Sequence, residues 1–132
     1  MNFRKLKLPA AVIMLFLVTA CGEAQDASPD GVASASPVAD FMADPAAVMR
    51  GEALFVGSCA GFCHSLDGPN EDALFLFDCE WQYGGSNQDI FDTVTNGIPN
   101  TRMVGFGSNF PEGENDLHKI IAYLRVNEQP CD

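Results

Sequence analysis

The chain has 132 residues and carries 18 acidic side chains against seven lysines and arginines, a formal net charge of −11. That balance disfavours nucleic acid and anionic membrane surfaces as partners and favours basic faces on other proteins. The length allows one small domain, and five cysteines make thiol chemistry the first thing to account for.

Arg4, Lys5 and Lys7 form a basic n-region, followed by an almost wholly apolar run from Leu8 to Val18. About eleven apolar residues are too few to cross a bilayer core of about 30 Å. The pattern is that of a bacterial export signal over residues 1–20, and export faces the chain to an oxidising periplasm. Val18-Thr19-Ala20-Cys21 resembles a lipobox. The resemblance implies cleavage before Cys21 and lipidation of its thiol, hence a membrane anchor. Gly22 after the cysteine implies outer-membrane rather than inner-membrane sorting. Ordinary signal cleavage with Cys21 merely nearby is the alternative. Losing the signal removes three cations and no acid. Four cations then face 18 acids, a mature charge of −14.

Residues 21–40 are dominated by Ala, Ser, Pro, Gly and Asp, a composition that cannot bury enough apolar surface to offset chain entropy. They read as a flexible acidic tether with an r.m.s. span of roughly 25 Å. The folded domain is expected over 41–132, small enough to need covalent staples.

The first helix is expected from Asp44 as N-cap and Pro45 as first helical residue. Ala47, Val48, Gly51, Leu54 and Phe55 give it an apolar stripe. It runs into Cys59-Ala60-Gly61-Phe62-Cys63-His64. Two cysteines followed at once by a histidine form the attachment signature of c-type haem, normally C-x-x-C-H. Two thiols add to the haem vinyl groups, and the next imidazole lies where it can bind the iron. Here the spacer is one residue longer, and Gly61 is the expected site of a bulge because glycine takes unusual backbone angles. The competing readings are a zinc half-site, which needs two more soft ligands, a disulfide, or chance.

A second helix is expected from Ser86, with Asp89 completing a capping box. Ile90, Phe91 and Val94 face inward, and Asn96-Gly97 before Pro99 ends it. A third is expected over about 113–127, with Leu117, Ile120, Ile121 and Leu124 inward. Acids near its start and Arg125 near its end suit the helix dipole. His118 reads as an exposed histidine on its polar side. No segment shows sustained strand alternation.

The layout resembles an all-α class I cytochrome c, with three main helices around one covalent haem. Gly51, Phe55, Ile120 and Tyr123 stand where that family crosses its first and last helices. The run Asp78-Cys79-Glu80-Trp81-Gln82-Tyr83-Gly84-Gly85-Ser86, then Thr95-Asn96-Gly97-Ile98, then Met103, is similar to the haem c domains of the third subunit of high-affinity terminal oxidases. The resemblance covers roughly 45–128 and implies Met103 as the second axial ligand to iron opposite His64. Met42 and Met49 are worse placed. Related domains have a proline near Leu74 whose carbonyl accepts the axial histidine's ring N–H; this chain leaves that acceptor open. Trp81 or Arg102 would donate to a haem propionate, since a buried carboxylate needs donors. Trp81 and Tyr83 as plain core aromatics is the alternative. With Cys21, Cys59 and Cys63 assigned, Cys79 and Cys131 remain, either as one disulfide or as two free thiols.

Two filled axial positions disfavour substrate binding. The expected function is therefore a one-electron carrier, not an enzyme, working between a dehydrogenase or respiratory complex and an acceptor. It is either free or the tethered subunit of such a complex. A small haem peroxidase or gas-binding sensor is the alternative and requires an easily vacated distal position. No serine–histidine–acid set or phosphate loop suggests other chemistry.

Overall fold

The computed structural model describes residues 37–131, and within them the regular elements are all helical, with one isolated bridge between Gly97 and Val104. The expected signal, Cys21 and residues 21–36 of the expected tether lie outside the described residues. Helix α1 spans Pro37–Met42. It corrects the tether boundary at 40: Val38 is fully buried and Phe41 packs on the core. These two side chains, one turn apart, give the segment an apolar face that the composition of 22–40 hides.

Helix α2, Pro45–Phe55, begins as its sequence dictates. Asp44 is extended and its Oδ1 accepts from the Ala46 N–H at 2.9 Å, with proline in the first turn. Helix α3, Asn87–Asn96, opens on a reciprocal capping box: the Asp89 N–H donates to Ser86 Oγ and the Ser86 N–H to Asp89 Oδ2, at 3.1 and 2.9 Å. The Ser86 hydroxyl, donating to Asp89 Oδ2 at 2.7 Å, and then the Ser86 N–H hold the Asp89 carboxyl below the ordinary carboxylate range. Helix α4, Glu114–Asn127, is the central element. Leu117, Ile120, Ile121 and Leu124 are all at most 2% exposed. Each such side chain contributes about 1.5–3 kcal/mol on burial.

Helices α2 and α4 cross at Gly51. A Cβ there would sit 2.0 Å from the Lys119 carbonyl oxygen, so only glycine permits this approach. The crossing is clamped beside it. Asp116, fully buried, accepts from Arg50 Nε and Nη2 at 3.1 and 3.0 Å and from the Glu112 N–H at 2.9 Å. Below the crossing Phe55, Phe77 and Tyr123 pack edge to face and tilted, with centroids 5.5–5.7 Å apart. Such pairs add to area burial. Phe55 also approaches the His64 ring at 6.4 Å, so the core directly abuts the motif histidine.

His118 is half-buried rather than exposed. Its ring stacks on Phe91 at 4.9 Å and 22°, because α3 packs on the flank of α4 that its sequence marks as polar.

Candidate functional site

Beyond Phe55 the helix widens into a π-helical turn, Val56–Ala60. The Gly61 N–H donates to the Val56 carbonyl at 2.9 Å and the His64 N–H to the Cys59 carbonyl at 3.1 Å. Both bonds span five residues. In C-x-x-C-H the histidine stands four residues past the first cysteine, one α-helical turn; here it stands five past, one π turn. The extra residue is thus taken up by widening the helix. The expected bulge is present as this π turn, but not through unusual angles at Gly61, whose φ −63° and ψ −15° are ordinary helical values.

The His64 ring is oriented by the next loop. Its Nδ1 lies 2.8 Å from the Leu74 carbonyl oxygen. A carbonyl only accepts, so Nδ1 carries the proton and Nε2 keeps its lone pair. The turn bearing Leu74 is itself anchored. Asn70 Nδ2 donates to the Cys63 carbonyl at 3.2 Å, and Asn70 Oδ1 accepts the N–H groups of Asp72 and Ala73 at 2.8 and 3.0 Å. Cys59 and Cys63 are free and half-buried. Burial, and secondarily Cys63, push the Cys59 thiol up to about 11.

Met103 is held by a glycine-dependent approach of two chain segments. The Ile98 N–H donates to the Met103 carbonyl at 2.9 Å, and the Phe106 and Gly107 N–H groups donate to Val94 and Thr95. Gly97 has φ 72°, and a Cβ on it would lie 2.5 Å from the Gly105 nitrogen. A Cβ on Gly105 would in turn lie 2.7 Å from the Thr95 carbonyl oxygen. Two glycines therefore press the Met103 loop onto the end of α3.

Two adjoining cavities share Cys59, His64, Leu74, Tyr83, Ile98 and Met103 in their walls. The inner one is lined by Phe55, Ile90, Val94, Ile120 and Leu124; the outer one, about 810 Å³, adds Cys63, Asp72 and Arg102. That volume is in the range of cofactor sites. A flat macrocycle with apolar faces, two thioether links and two axial donors fits this set: both thiols, an imidazole with a free Nε2 and a thioether line the adjoining cavities, the inner of them largely apolar. Among the described residues no three His, Cys, Asp or Glu side chains converge as a cation site, which removes the geometry a zinc half-site needs.

The two expected propionate donors are engaged elsewhere. The Trp81 indole N–H donates to Glu128 Oε1 at 2.8 Å, under the Arg125 guanidinium 5.2 Å from the ring. Trp81 therefore contributes a ring to the cavity wall, and its N–H belongs to the end of α4. Arg102 Nη2 donates to Asp72 Oδ1 at 2.7 Å and to the Asp72 carbonyl at 3.0 Å. Cys79 and Cys131 are side by side, Cα–Cα 5.4 Å, with their sulfurs bonded. The Gln129 N–H donates to the Phe77 carbonyl at 2.8 Å beside them. Asn70, Asp72 and Glu128 were not singled out as site partners by sequence, and Leu74 was named only as standing near the place where related domains supply the acceptor. An Asx turn at Asn70 was the one legible signal.

Residues 46–124 match the family model described as cytochrome c oxidase, cbb3-type, subunit III. That stretch is well over half of the chain and contains α2, the motif, α3, Met103 and most of α4. The chain belongs to this family. No curated protein and no solved structure matches it. The cytochrome is an all-α class I c-type cytochrome, and its cofactor is one covalently attached haem c. A cytochrome of this kind is an electron-transfer module. No helix among the described residues is long and apolar enough to cross a membrane.

Proposed function

We propose that the cytochrome is a monohaem one-electron carrier on the periplasm-facing side of a bacterial envelope, anchored through lipid on Cys21, with the outer membrane favoured. It passes electrons between a dehydrogenase or respiratory complex and an acceptor that offers a basic docking face. Cys59 and Cys63 provide the thioether links, and His64 and Met103 are the axial ligands. When bound, haem c supplies a one-electron iron couple.

The observation that carries this reading is the pairing of donors in one cleft. His64 and Met103 line the same cavity, and the Leu74 carbonyl commits His64 Nδ1 to a proton. The imidazole is thereby held in the tautomer that offers Nε2, with its ring fixed. The Met103 thioether is a soft donor that favours the reduced state. Phe55, Ile90, Ile120 and Leu124 keep water from the inner cleft.

Denatured mass spectrometry should give the mature polypeptide plus one haem, and the oxidised protein should show a long-wavelength sulfur-to-iron charge-transfer band. Met103→Ala should lose the band, lower the potential and admit small ligands. Rapid ligand binding by the unmodified protein would instead support the peroxidase or sensor reading. Cys21→Ser should move the protein from the membrane to the soluble periplasmic fraction; continued membrane association would reject the lipid anchor.

A further inference from the structure

We infer that the Asn70–Leu74 turn, tied to Arg102, is a positioning element that couples the two sides of the haem cleft. The inference rests on His64 and Met103 being the axial ligands. Three contacts leave this one short turn in different directions. Asn70 holds the Cys63 carbonyl at 3.2 Å, inside the attachment motif. The Leu74 carbonyl holds His64 Nδ1 at 2.8 Å. Asp72, between them, accepts twice from Arg102, at 2.7 Å to the carboxylate and 3.0 Å to the backbone oxygen.

Arg102 is the residue before Met103. Its partner Asp72 lies 30 positions earlier, and both line the outer cavity. The Arg102–Asp72 pair is therefore a latch across the mouth of the cleft. It joins the loop that carries the thioether to the turn that orients the imidazole. Within the Met103 loop, the Met103 N–H donates to Thr101 Oγ1 at 3.1 Å and Thr101 Oγ1 donates to the Ile98 carbonyl at 2.8 Å. The loop is thus stiff enough to move as one piece when the latch opens.

Magnitude sets what the latch can do. Its side chains are 67% and 65% exposed, and an exposed, solvent-screened pair is worth little. That is too little to hold the fold together. It is enough to bias opening of a single loop by up to about fivefold. Arg102 and Asp72 are accordingly positioning residues that set how readily Met103 yields its place.

The test is the apparent affinity of the oxidised protein for added imidazole, read in the haem spectrum with the sulfur-to-iron band as internal control. Arg102→Gln and Asp72→Asn should each raise imidazole affinity about three- to fivefold, with the band intact before imidazole is added. The exchanged pair Arg102→Asp with Asp72→Arg should return affinity to within about twofold of the unmodified protein, as a direct pairwise coupling requires. Imidazole affinity unchanged in Asp72→Asn, or no rescue in the exchanged pair, would overturn the latch. Both are what an Arg102 committed to a propionate would give. If the unmodified protein lacks the band, the axial assignment fails on its own, whatever the variants do.

Discussion

Asp116 is the one buried charged side chain among the described residues, although nothing marks it in the sequence beyond its place in the first turn of α4. It is fully buried, and a buried carboxylate is tolerated only when its oxygens are satisfied. Arg50 reaches it from α2 with two donors, the Glu112 N–H caps it, and Lys119 lies 3.7 Å away. The Arg50 bond above all holds the carboxyl below its ordinary 3.8. A carboxyl depressed in the folded state stabilises the fold fully above its unfolded-state pKa. The stabilisation is lost as pH falls through the lower folded-state value. The protein should therefore hold a flat melting temperature down to about pH 4 and lose stability below it. Asp116→Asn should cost about 1–3 kcal/mol at neutral pH, because Arg50 loses its charged acceptor. That is a fall of about 4–8 °C per kcal/mol for a domain of this size. The variant should also flatten the acid limb. Thermal melts of both proteins from about pH 2 to pH 7 check this; an unchanged acid limb in the variant would assign the pH dependence to other carboxylates.

At the scale of elements, the π turn between α2 and the motif histidine reconciles two fixed phases. Upstream, Gly51 must face the Lys119 backbone and Phe55 must face the core. Downstream, His64 must face the cleft. An α-helix carrying the longer spacer would rotate His64 by about 100° out of phase; one wide turn restores it. Deleting Ala60, which leaves Cys-Gly-Phe-Cys-His, should convert the π turn to an α turn and keep the haem adduct. Its melting temperature should stay within about 5 °C of the parent, less than about 1 kcal/mol. Deleting Ala53 instead should shift Phe55 off the core and abolish a stable holoprotein. Denatured mass spectrometry and melting curves separate the two. Loss of the adduct on deleting Ala60 would show that the spacer length itself is required.

The same element shows what sequence can and cannot reveal. Helices α2, α3 and α4 were legible to within a residue because Asp44, Pro45, Ser86, Asp89 and Asn96-Gly97 act through local bonds. Cys59, Cys63 and His64 stand out by the order of their chemistry and Met103 by the family resemblance, and all four line the adjoining cavities. The π turn was not legible, since its cause is a conflict of phase between residues thirteen positions apart, Gly51 and His64. The Leu74 carbonyl was indicated only through the resemblance, which left the acceptor open near that position, because a backbone acceptor leaves no mark on residue type. Trp81 and Arg102 were placed at the cleft, but the carboxylates they bond in this structure were not foreseen. Their donors go to Glu128 and Asp72, carboxylates 47 and 30 positions away that only the folded chain brings near.

Across the whole molecule, charge is distributed in a way that a net figure understates. The only cations beyond residue 20 are Arg50, Arg102, Lys119 and Arg125. Each is in an ion pair: Arg50 with Asp116, Arg102 with Asp72, Lys119 with Glu112 and Arg125 with Glu128. No cation is left to offset the remaining carboxylates, so an approaching protein meets an almost purely anionic field. Glu71, Asp72, Asp78 and Glu80 line the outer cavity itself, which places part of that field at the cleft where electrons must leave. A field of this kind acts on encounter more than on the docked state, and can raise association rates by about 10–10³-fold. Salt should remove the gain, because the screening length shrinks from about 10 Å at 0.1 M to about 3 Å at 1 M. The second-order rate of electron transfer with a basic redox protein should therefore fall at least about tenfold across that range. Glu71→Gln with Glu80→Gln should lower the rate at low salt and leave the rate at 1 M unchanged, since neither side chain bonds a cofactor ligand. A rate that is flat or rises with salt would mean that docking is governed by apolar contact, and the excess acidity would then serve solubility alone.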